Sequence, residues 1–154
     1  MRRALRLVAA LLISCGGASA TSAGAPRVAA VSAERPTILL NEGGVFRPID
    51  NGGRVAIPGG WATVEFSPLP LTRSDVYLDV AVLDPAGKPV GATVSVSYEM
   101  VLMDHGTYSR QASMHGGRHR MPISIVMPGK WQFAIAIDRN GTVTRFLVVV
   151  PEIG

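Results

Sequence analysis

The sequence predicts an all-β domain, specifically an immunoglobulin-like antiparallel β-sandwich of about seven strands. Apolar residues alternate with period two over 75–83, 92–98 and 131–137, so that Val76, Leu78, Val80 and Val82, then Val94, Val96 and Tyr98, then Trp131, Phe133, Ile135 and Ile137 each share one face. Turn chemistry separates these runs: Asp84-Pro85-Ala86-Gly87, Pro128-Gly129 and Asn140-Gly141. No segment combines a helical period with capping signals.

The chain begins with a basic stretch (Arg2, Arg3, Arg6), an apolar run over 7–13 and then small residues, the pattern of a secretory signal peptide over 1–20. The run is too short to be a permanent membrane span, and no other stretch is long and apolar enough, so the mature domain is expected to be soluble or only tethered. Two cleavage sites compete. Ala18-Ser19-Ala20 fits ordinary signal peptidase, whereas Leu12-Ile13-Ser14-Cys15 resembles a lipobox that would leave a lipid anchor on Cys15. Cys15 is the single cysteine, so the mature domain has neither an internal disulfide nor a thiolate for a blue-copper centre. Of fifteen Lys and Arg residues three lie in the leader, so removal at Ala20 leaves twelve against eleven acidic residues, a net of +1. That balance gives no electrostatic footprint for nucleic acid. The expected location is outside the cytoplasm, in a periplasm or cell envelope.

Residues 21–35 are rich in Ala, Ser and Gly and form a flexible spacer, and 36–154 is the folded domain. Over 36–60, short apolar pieces broken by Gly43-Gly44, Pro48, Asn51-Gly52-Gly53 and Pro58-Gly59-Gly60 predict loops with at most one edge strand. A strand is expected at 61–66 and is broken by Pro68 and Pro70. Further strands follow at 75–83, 92–98, 121–126, 131–137 and 142–150, the last two joined at Asn140-Gly141 by a type I′ hairpin turn.

Five of the six methionines and all three histidines fall between Met100 and Trp131. Thioether sulfur is soft and selects Cu(I), while imidazole suits copper and zinc. Met103 and His105 lie where a strand runs into a loop, and Asp104 is placed to orient the imidazole. Met114, His115, His119, Met121 and Met127 form a weaker set that needs the loops to fold together. The competing reading is that methionines fill irregular cores. Met100, in phase with Val96 and Tyr98, belongs to the core. Trp131 is expected to be a core aromatic. No Gly-x-Ser-x-Gly elbow or phosphate loop occurs, and no nucleophile–base pairing is recognisable, so no catalytic residues are expected.

The segments Asp84 to Ala92, Met100-Val101-Leu102-Met103-Asp104-His105-Gly106, Gly117-Arg118-His119-Arg120 and Met127-Pro128-Gly129-Lys130-Trp131 resemble the YtkA-like domain family, which is related to FixH-like proteins. The resemblance covers roughly 76–150. It implies a bacterial envelope β-sandwich, some of whose relatives handle copper or help assemble copper-containing oxidases. Carried over by position, it implies Met103, His105 and Met127 as ligands. The chain departs from fuller versions of the pattern in having a single histidine at this loop and no membrane helix after processing. Two functions are therefore carried forward. The first is a non-enzymatic Cu(I)-binding domain serving an envelope metalloprotein, and the second is a metal-free module that contacts another envelope protein. Convergence of the Met and His side chains would favour the first.

Overall fold

The structure is a computed structural model that describes residues 37–72, 75–103 and 106–154. The leader, the spacer, Cys15, Asp104 and His105 lie outside the described residues. The strands are β1 (Ile38–Glu42), β2 (Val45–Ile49), β3 (Gly53–Ile57), β4 (Gly60–Ser67), β5 (Asp75–Leu83), β6 (Thr93–Met100), β7 (Tyr108–Gln111), β8 (Ser113–His115), β9 (Arg118–Ser124), β10 (Gly129–Arg139) and β11 (Thr142–Ile153). Among the described residues there is no helix, and so none long and apolar enough to cross a membrane.

Two antiparallel sheets form a sandwich. One is six-stranded in the order β2-β1-β11-β10-β6-β7, and the other five-stranded in the order β3-β4-β5-β9-β8. The chain passes between the sheets four times, at the edges from β2 to β3 and from β7 to β8, and between interior strands from β5 to β6 and from β9 to β10.

The alternation read in the sequence is the alternation of burial. Val76, Leu78, Val80 and Val82 face Val94, Val96, Phe133, Ile135, Ile137, Val148 and Val150 in one core cluster. Aromatic rings occupy one end of that core. Phe66 lies 5.0 Å from Phe133, and Tyr98 lies 5.9 Å from Phe133 and 6.3 Å from Trp131. Contacts of this kind add about 0.5–1.5 kcal/mol per pair beyond the area they bury. Trp131 is buried as expected, and its indole N–H donates to the Met127 carbonyl at 3.1 Å.

The strand count differs from the expectation. Among the described residues there are eleven strands, and three of them fall in 36–60, where at most one was expected. The glycines there close two-residue hairpins and do not end the sheet. Gly43 and Gly44 have φ of +62° and +92°, which lets β1 fold back on β2 in register Glu42↔Val45. The polar stretch after Met103 also contains two short strands, β7 and β8, which alternation could not reveal because every residue in them is exposed. The Asn140–Gly141 turn has positive φ at both residues, +53° and +86°, as type I′ requires.

Candidate functional site

The Met/His residues lie in three environments. The first is the end of the sandwich where β6 stops and β10 begins. Met100 pairs with Trp131 across the sheet, and the Val101 N–H donates to the Lys130 carbonyl at 3.0 Å. The chain then turns through Val101, Leu102 and Met103, exposing Leu102 and Met103. Met127 enters the same end from β9, and its carbonyl is tied to the Trp131 indole. Gly129 lets these pieces close up. A Cβ there would lie 2.6 Å from the Met100 methyl, and its φ of +133° disfavours any other residue. The Met-Pro-Gly-x-Trp motif is thus a packing device: Trp131 anchors Met127, and Gly129 makes room for Met100.

A shallow depression of about 330 Å³ opens at this end, lined by Glu99, Met100, Val101, Leu102, Met103 and Gly106. The Glu99 carboxylate accepts from Thr107 Oγ1 at 2.6 Å and from the Gln132 amide. Those hydrogen bonds, Thr107 first, hold its pKa below the ordinary carboxylate value, so it stays ionised.

The second environment is the β8–β9 hairpin. Met114 is exposed, and so is His115 on the opposite face. His119 sits directly across from Met114 and is only 5% exposed. Burial lowers the His119 pKa below its ordinary value, because the charged ring loses hydration there. The Gly116–Gly117 pair, a two-residue hairpin signal, marks in the sequence that residues 114 and 119 must face each other.

The third environment is the core itself. Met121, one of the weaker ligand candidates, pairs with Leu78 and is 1% exposed. It fills the core, as the packing reading of methionine holds.

The candidate residues therefore do not form one cluster. Met100, Met103 and Met127 share one end, Met114 and His119 share a hairpin, and Met121 is between the sheets. Among the described residues no group of three His, Cys, Asp or Glu side chains is arranged to hold a metal ion.

The sequence reading passed over the outer face of the five-stranded sheet. There Asp79, 3% exposed, receives Arg120 Nε and Nη2 at 2.9 and 2.8 Å in a two-point pair, and Arg118 bonds Glu65 beside it. Asp79 Oδ partners raise the Arg120 pKa further above its ordinary value, chiefly through this hydrogen bond. The outward phase of Glu65, Asp79 and Arg120 in their strands was the available signal.

No family model matches this chain, and neither does any curated protein or solved structure.

Proposed function

We propose that this chain is an exported, non-enzymatic β-sandwich of a bacterial cell envelope that binds Cu(I) reversibly, for copper handling or for assembly of an envelope metalloprotein. Met103 and His105 are the ligands, with Met127 completing the set. The observation that carries this reading is the gathering of Met100, Met103 and Met127 at one end, with Met103 at 52% exposure. Thioethers at a surface contribute little to packing, and they are the ligands a soft monovalent ion prefers. The basic and apolar start of the chain supports export, with either cleavage after Ala20 or a lipid anchor on Cys15. An immunoglobulin-like fold of the YtkA-like kind belongs to the same reading. The two antiparallel sheets and the structural part played by Met127, Gly129 and Trp131 support it.

The test is competition against a Cu(I) chelator under reducing conditions. Met103→Leu keeps volume and apolarity, so it should keep the fold and weaken copper retention. His105→Ala should weaken it more, and retention in the wild type should fall as pH drops through the histidine range, because a protonated imidazole cannot ligate. Equal and negligible retention in all three proteins would reject the site. The alternative would then stand: a metal-free module that contacts another envelope protein. Its support is the exposed apolar side chains of the β6–β7 turn, Leu102 at 78% and Met103 at 52% exposure.

A further inference from the structure

We infer that Met114 and His119 form a second, independent Cu(I) site, a two-ligand thioether–imidazole pair built across the β8–β9 hairpin. The register places the two residues directly opposite each other. Directly opposed residues share a face of the sheet, with Cβ atoms about 4.5–5.5 Å apart. The thioether sulfur and the imidazole Nδ1 each stand two bonds beyond Cβ. A metal about 2.0–2.3 Å from each donor would bridge the two side chains.

The two partners are prepared differently. His119 is 5% exposed, and among the described residues neither of its ring nitrogens is a buried atom without a partner. Met114 is 63% exposed, so its sulfur meets an arriving ion first. The register is held on both sides of the pair, by Ser113↔Arg120 and His115↔Arg118. Arg120 is itself fixed by its two bonds to Asp79.

The donor set selects the metal. One soft sulfur and one neutral nitrogen suit Cu(I), which accepts two ligands. Zinc wants four, and thioether is a poor ligand for it.

The experiment is a Cu(I) titration under reducing conditions of the full chain labelled with ¹³C at the methionine methyls. The Met114 methyl signal should shift and saturate at one equivalent for this site. That shift should be lost in His119→Gln and retained in the Met103→Leu/His105→Ala double variant. Met114→Leu, a volume-conserving change at an exposed position, covers the case in which His119→Gln fails to fold. In Met114→Leu the copper-induced change in the His119 ring ¹⁵N shifts should be lost. A Met114 signal that stays still, or that shifts equally without His119, overturns the inference. So does drift of all methionine signals without saturation. Because the double variant removes only the ligands of the first site, failure of either site is seen separately.

Discussion

Met121 and Met114 lie on neighbouring strands, and both point toward the inner side of the five-stranded sheet, yet one is 1% and the other 63% exposed. The difference is strand order. β9 lies between β5 and β8 and is roofed by the other sheet, whereas β8 is the last strand of its sheet. Alternation says which side of a sheet a residue faces. Depth along that side is set by how many strands lie beyond it. One residue type therefore serves as core filling on β9 and as an accessible sulfur on β8.

That contrast can be tested where it is sharpest. Trp131→Ala removes the anchor of the aromatic end, where the ring is 1% exposed and its N–H is satisfied by Met127. The expected destabilisation is about 3–5 kcal/mol, the usual cost of deleting a large core aromatic. An unchanged denaturant midpoint would mean that the ring is not buried. Next is the methionine pair. Met121→Ala should cost about 2–5 kcal/mol, while Met114→Ala should stay within about 0.5 kcal/mol. Equal losses in the two variants would break the distinction between interior and edge strand.

The smallest effect concerns His119. Its folded-state pKa is below the ordinary 6.5, so the unfolded chain takes up a proton first as pH falls. Stability should be level above that value and decline below it, until the folded-state pKa is also passed. Melting temperatures at pH 7.5 and 5.5 should differ by less in His119→Gln than in the wild type. An unchanged difference would show that the ring does not carry this dependence.

The legibility of the fold follows the same division. β4, β6, β10 and the first half of β5 bury one face and were evident because burial writes alternation into the sequence, and β11 was evident from its β-branched run after the Asn140–Gly141 turn. β2, β7 and β8 were not, because they are edge strands whose residues are nearly all exposed. A strand that buries nothing leaves no period. Gly43–Gly44 reads as a break between two short runs, and the same pair of glycines is equally a hairpin turn. For the candidate site, the packing part of the Met-Pro-Gly-x-Trp motif was partly legible, through the phase of Trp131 with Phe133 and Ile135. The Met114–His119 pairing leaves no trace in the alternation and is carried only by the Gly116–Gly117 turn, which sets its register.

The first and last strands of the described chain, β1 and β11, are antiparallel neighbours, with Leu39 beside Val149. Ile153, at the far end of β11, lies opposite Gly129, and Val150 lies opposite Trp131. Thr37 and Gly154 therefore leave the sandwich at the same rim as Met100 and Met127. This gives the domain a direction of attachment. A surface linkage or fused partner joined directly at Thr37 or Gly154 stands beside the methionine rim, whereas a label at the Asn140–Gly141 turn stands at the opposite end of the strands.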